Sequence, residues 1–246
     1  MSGAPPVLAP YTVKIDPKAG PSVPPRDSAT LILVDSEGTV PRVLMGKRHA
    51  SHAFMPNKYV FPGGKLDAAD RMLTPGDSLA ERCSRRLRQH VTRWTETRSR
   101  ALAMAAIRET CEETGILIGQ REDHPVTSAS EAWAPFVAAQ VRPKLSALTF
   151  VARAITPPKR PRRFDTRFFY ADRRNVAAEI GDIAGPEAEL ITNEWLTFDE
   201  ALQQELPNIT RVVIKEIATR LETGEMDRPA PFYYFRNGKY WRKELD

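Results

Sequence analysis

Apolar positions along the chain fall into short runs separated by turn-forming residues, and each run predicts an element. Ala29-Thr-Leu-Ile-Leu-Val34 is β-favouring and apolar, Ser36-Glu-Gly38 reads as a turn, and Val40 to Arg48 follows as a second strand, so the pair predicts a hairpin. Tyr59-Val-Phe61 is a third extended run, stopped by Pro62-Gly63-Gly64. Ser78 to Trp94 predicts a helix capped by Asp77 or Ser78, and Ala101 to Thr114 a second helix ended by Gly115. Glu131 to Val141 reads as a short helix, and Leu148 to Ile155 and Arg167 to Ala171 as strands. Glu194-Trp-Leu-Thr-Phe198 is a further strand, Asp199 caps a helix from Glu200, and Ile209 to Leu221 is amphipathic and ends near Gly224. In the tail, Pro231 to Asp246 centres on Asn237-Gly238, a strong hairpin signal. Strands and helices are interspersed without a strict βαβ rhythm. This predicts an α+β or α/β protein with helices packed on a mixed sheet.

Composition narrows the picture. Hydrophobic residues make up 41% and charged residues 27%, so a core can form without covalent staples. Two cysteines, Cys83 and Cys111, cannot build a disulfide framework and match no zinc spacing, which points to the reducing cytosol. No apolar run approaches the roughly 18–20 residues of a membrane span. The opening MSGAPPVLAP lacks the basic and apolar regions of a secretory signal. Residues 1–27 hold seven of the 21 prolines and read as an extended arm; 28–222 read as the main domain and 223–246 as a tail.

The formal net charge is +5, and the arginines cluster. Arg82, Arg85, Arg86, Arg88, Arg93, Arg98 and Arg100 form one group; Lys159, Arg160, Arg162, Arg163 and Arg167 form another. Guanidinium groups match phosphate oxygens, although solvated basic surfaces of this kind are also common.

On the helix of Ala101 to Thr114, Met104, Ile107 and Cys111 share one face, while Glu109, Glu112 and Glu113 share the opposite one. Three carboxylates repel one another there and face the negative end of the helix dipole. A divalent cation among them removes both penalties, and hard oxygen donors suit magnesium or manganese. Upstream, Gly63 and Gly64 let the backbone approach a ligand closely.

Together these elements resemble the Nudix box. That pattern runs from a glycine, five residues and a glutamate to Arg-Glu, an apolar residue, any, Glu-Glu, any, Gly. Its second half is present as Arg108-Glu109-Thr110-Cys111-Glu112-Glu113-Thr114-Gly115-Ile116, with Thr110 in place of an apolar residue. The opening glycine is Gly64. The family has 14 positions from that glycine to the arginine, but Gly64 to Arg108 is 44, so 30 residues are inserted within the box. Counting back eight from Arg108 lands on Arg100 rather than a glutamate, which leaves Asp67, Asp70, Glu81 and Glu96 as substitutes. A split box resembles a subgroup that includes mammalian peroxisomal coenzyme A diphosphatases and bacterial relatives. The Leu44-Met-Gly-Lys-Arg48-His49 segment partly matches a coenzyme A-associated signature, with Ala53 and Asn57 at two of its key positions.

The resemblance implies an α/β/α sandwich with a mixed sheet and a helical insertion at 65–100. It implies a hydrolase that cuts a diphosphate linkage in a nucleoside-diphosphate-linked compound, coenzyme A among them. Glu109, Glu112 and Glu113 would hold Mg2+ or Mn2+. Arg108 would orient the carboxylates, Glu109 could act as base, and Glu189, five positions ahead of the Glu194-Trp195 pair, would be an extra ligand or the base. Arg48, Gly63 and Gly64 would meet the substrate. Expected partners are a phosphorylated small molecule and a second copy of the chain, not a membrane, with nucleic acid less favoured. RNA-end pyrophosphohydrolysis and a catalytically weak nucleotide sensor are the competing readings. The insertion is expected to form a flap whose Arg82, Arg85 or Arg86 holds substrate phosphates.

Overall fold

The structure is a computed structural model, and it describes residues 22–50, 56–181, 183–185 and 188–246. Most of the proline-rich arm lies outside the described residues. In chain order the strands are β1 (Arg26–Asp35), β2 (Arg42–Arg48), β3 (Tyr59–Val60), β4 (Gly63–Lys65), β5 (Ile116–Arg121), β6 (Val141–Pro143), β7 (Thr149–Ile155), β8 (Phe164–Asp172), β9 (Val176–Glu179), β10 (Leu190–Thr197), β11 (Ala230–Arg236) and β12 (Lys239–Leu245). The helices are α1 (Glu81–Arg88), α2 (Glu96–Thr114), α3 (Ala134–Ala138), α4 (Phe198–Gln203) and α5 (Asn208–Thr223). No helix among the described residues is long and apolar enough to cross a membrane.

The main sheet is mixed, in the order β10-β2-β1-β8-β7-β11-β12, with β3 on β2 and β4 on β1. β5, β6 and β9 form a separate three-stranded sheet. β1 explains the layering. Its side chains alternate, so Ala29, Leu31 and Leu33 enter one apolar cluster with α2, while Ile32 and Val34 enter another with α5. Burial on both faces is why this strand reads as a continuous apolar run. α2 lies inside the first layer, and every residue from Ala101 to Ile107 is fully buried. The result is an α/β/α arrangement.

Several elements differ from their sequence expectation. α2 starts at Glu96, not Ala101, because Thr95 caps it by accepting from Arg98 N at 3.2 Å. α1 is shorter than Ser78 to Trp94: after Arg88 the chain turns, with His90 and Arg93 at positive φ. Asp77 caps no helix start; its carboxylate instead accepts from Leu145 N and Ser146 N. Thr197, not Asp199, caps α4 through a capping box with Glu200. β5, β6 and β9 carried no recognisable alternation. The tail hairpin forms as expected, with Asn237 and Gly238 both at positive φ. It also joins the main sheet, where β11 runs parallel to β7.

Candidate active site

The site is built where β4 passes the C-terminal half of α2. Gly63 and Gly64 pair with Thr30 and Ala29 of β1. A Cβ at Gly63 would lie 2.6 Å from the Ala29 carbonyl oxygen, and one at Gly64 would lie 2.3–2.5 Å from the Glu109 carboxylate. No side chain fits at Gly63, and one at Gly64 would displace the Glu109 carboxylate, so the backbone meets the acidic helix directly. Gly63 N donates to Glu113 Oε2 at 3.0 Å, which fixes one carboxylate against the strand.

Arg108 organises the rest. Its Nε donates to Asp70 Oδ1 at 2.7 Å and its Nη2 to the Lys65 carbonyl at 3.2 Å. Its Nη1 lies 2.9 Å from Glu109 Oε1 and 2.8 Å from Glu112 Oε2. Both Arg108 and Asp70 are buried; burial works against the guanidinium charge, but Asp70, Glu109 and Glu112 together outweigh it and hold it charged. Asp70 sits in a 3-10 turn at Ala68–Arg71, where its Oδ2 also accepts from Asp67 N at 2.6 Å.

Five residues follow Gly64, and the next is Asp70, the spacing at which the resembled pattern has its first acidic residue. Aspartate stands where the pattern has glutamate. Counting forward from the glycine finds it; counting back from Arg108 crosses the insertion and fails. Asp67 serves as cap to the turn, and Glu81 and Glu96 sit exposed in the first turns of α1 and α2. The Thr110 departure is harmless, since its buried hydroxyl donates to the Ala106 carbonyl at 2.7 Å.

Besides Asp70, four glutamates lie in this region. Burial pushes Glu109 up to about 7, with Glu112 adding and Arg108 opposing. Glu113 is pushed well above the usual carboxylate range, first by burial and then by Glu189 and Glu109. Glu189 lies just ahead of β10 and is ion-paired with Arg48 at the end of β2. Glu112 differs: it is about two-fifths exposed and bound to Arg108. Glu109 and Glu113, at i and i+4, therefore share the face toward the glycine turn, and Glu112 is offset from it. The structure thus brings together Arg48, Gly63, Gly64, Glu109, Glu113 and Glu189, and clamps Arg108 to Asp70.

The donor chemistry fits a hard divalent cation: the Glu109 and Glu113 carboxylates are crowded by like charge and displaced toward protonation beside a bare glycine backbone. As the side chains stand, no three acidic, histidine or cysteine groups among the described residues converge on one point. A cavity of about 440 Å³ lined by Ser36, Lys144, Tyr170, Asp172 and Arg174 shares no residue with this cluster.

The insertion does not form the expected flap. Arg82 and Arg86 both bind Asp227, Arg86 through Nη1 to Oδ1 at 3.1 Å and Nη2 to the carbonyl at 2.7 Å. α1 packs on α2 and β7 and buries Cys83, Arg86 and Leu87, while Arg85 points to solvent. The helix start at Thr95 is about 20 Å along the axis from Glu109. The insertion returns to the helix well away from the carboxylates.

No protein-family model matches the chain, and no curated protein matches it. Among solved structures, a NUDIX hydrolase from Alicyclobacillus acidocaldarius is similar to it, with 24% identity, a TM-score of 0.59, and coverage of 80% of this chain and 92% of that one. The NUDIX domain of Shewanella oneidensis NrtR, solved with ADP ribose, is 16% identical over 87% of this chain and 96% of that one, with a TM-score of 0.46. A MutT NUDIX hydrolase from Burkholderia pseudomallei is 17% identical over 79% of this chain and 99% of that one, with a TM-score of 0.42. The first likeness shows the class of fold: this chain is folded as a Nudix hydrolase is.

Proposed function

We propose that this chain is a pyrophosphatase that hydrolyses a diphosphate linkage in a nucleoside-diphosphate-linked compound, with Mg2+ or Mn2+ as cofactor. The observation that carries the reading is the crowding of half-buried Glu109 and buried Glu113 against the Gly63-Gly64 backbone, beside an Arg108 clamped by Asp70. Glu109 and Glu113 are the donors for the cation, and Glu112 lies beside them on the same helix. A bound divalent ion would neutralise phosphate oxygens and lower the pKa of a bound water.

The chain's own groups do the rest. Arg108 fixes the carboxylates in direction through hydrogen bonds on both sides. The bare backbone of Gly63 and Gly64 lets the Glu109 carboxylate lie directly against β4. Arg48 offers a guanidinium to a phosphate oxygen once it leaves Glu189. Glu189 is then the acceptor for the proton of the attacking water.

Coenzyme A and its acyl derivatives are the first substrates to test, since Leu44 to Gly64 partly follows a coenzyme A-associated pattern. A reducing compartment suits the two cysteines, which are both free and buried. The test is turnover of coenzyme A, acyl coenzyme A, ADP-ribose, NADH and capped RNA with Mg2+, with Mn2+ and with EDTA. Metal-dependent release of two phosphorylated products from a small nucleotide substrate is expected. Tight binding without turnover would replace the enzyme by a sensor, and preference for capped RNA would replace the small-molecule substrate.

A further inference from the structure

The hairpin of β11 and β12 lies at the far edge of the main sheet from β10. Its register sets three rungs on one face: Phe232 opposite Lys243, Tyr234 opposite Trp241, and Arg236 opposite Lys239. Residues directly opposite in an antiparallel pair share a face. The first rung begins in the core, where the Phe232 ring stacks with His90 at 6.2 Å and lies under the Arg153 guanidinium. Tyr234 continues the row, its ring 4.8 Å from Phe232. Beyond α1 the face opens: Tyr234 and Trp241 are half-buried, and Arg236, Lys239 and Lys243 are exposed.

Among the described residues, none of these three cations has an acidic ion-pair partner. Arg242 has one in Glu244, and both belong to the alternate rungs on the opposite face. The face therefore carries two aromatic residues at opposite positions of adjacent strands, bracketed by positive charge. Charge alone suits any polyanion. Aromatic surface set between the cations adds a preference for flat, unpaired bases that stack while their phosphates meet lysine and arginine. A duplex hides its bases, and an anionic membrane offers nothing to stack.

We propose that this face binds single-stranded nucleic acid, with Tyr234 and Trp241 as the stacking platform and Arg236, Lys239 and Lys243 as phosphate contacts. It goes beyond the hydrolase reading and does not rest on it, since no residue of the face belongs to the carboxylate site.

The probe is a fluorescent 20-nucleotide oligouridylate, titrated against the full chain across a range of salt. Binding is expected to weaken linearly in log–log terms with salt. The R236E/K239E/K243E triple variant should flatten that slope by about two ion equivalents and bind at least about tenfold more weakly. Trp241→Ala should cost about 5–150-fold, with Trp241→Phe retaining most of the affinity and guarding against a folding defect. Turnover of a small diphosphate substrate should stay unchanged in all of them. Wild-type affinity in the triple variant overturns the proposal. So does equal affinity for a duplex of the same length, or capture by phosphatidylserine vesicles with no oligonucleotide binding.

Discussion

Arg108 Nε reaches Asp70 Oδ1 at 2.7 Å across 38 residues of chain, and this one bond ties the turn after the glycine pair to the carboxylate helix. Both side chains are buried, so neither tolerates loss of the other. Asp70→Ala should lower stability by about 3–5 kcal/mol, the usual cost of leaving one member of a buried pair behind. It should also remove nearly all turnover. Asp70→Glu, which restores the residue of the family pattern, should keep more of both. Thermal unfolding and magnesium-dependent turnover of the two variants check this; equal, wild-type-like behaviour of Asp70→Ala would remove the clamp from the account.

Neutralising the metal-facing glutamates should separate stability from activity. Glu113 is buried among like charges, so Glu113→Gln should raise the melting temperature of the metal-free chain while reducing turnover by at least about a hundredfold. Glu112→Gln should also reduce turnover, by loosening Arg108. A metal-free Glu113→Gln less stable than wild type would mean that the carboxylate is already satisfied without a cation.

The pH dependence follows from Glu109. Its folded value of about 7 stands above the ordinary 4.5, so across that window the native chain holds a proton that the unfolded chain has released. Stability of the metal-free protein should therefore fall as pH rises from about 4.5 to 7, by at most about 3 kcal/mol from this group. Saturating Mg2+ should flatten the fall. Urea unfolding at several pH values, with and without metal, measures it; a rising profile in the same window would contradict the assignment.

Gly64→Ala introduces a methyl group 2.3–2.5 Å from the Glu109 carboxylate. The carboxylate must move, so turnover should drop by at least about tenfold while far-ultraviolet circular dichroism is retained. An unaltered kcat would show that Glu109 is free to shift without consequence.

The arginines of α1 give the opposite pattern. Arg86→Ala should cost about 2 kcal/mol through the lost hydrogen bonds to Asp227 and leave KM unchanged. A large rise in KM with intact stability would return these arginines to the substrate.

What was legible in the sequence depended on how locally each signal was encoded. The hairpin at Asn237-Gly238 and the glycine that ends α2 are decided within a few residues, and both emerged as expected. The carboxylate helix was visible through its spacing. The start of α2 was not, because Glu96 to Arg100 is polar and resembled more of the arginine-rich insertion, while the decisive cap is a single threonine. Asp70 was one of four candidates, and choosing it needed the fold that carries Lys65 to Arg71 under Arg108. The flap was misjudged for a related reason. The partner of Arg82 and Arg86 is Asp227, about 140 residues away, and no local pattern announces it.

The two halves of the carboxylate site are connected through a turn at residues 89–95 that reaches solvent, yet they are also held without it. β1 is zipped to β8, and Arg98 grips Asp27 through two bonds of 2.7 and 2.8 Å. The backbone between α1 and α2 is thus a tether rather than a strut. Severed near Arg93, the chain should behave as complementing fragments, one bringing Gly63, Gly64 and Asp70, the other Arg108 and the glutamates. Mixed after separate expression, they would dock along β1 and regain a working centre.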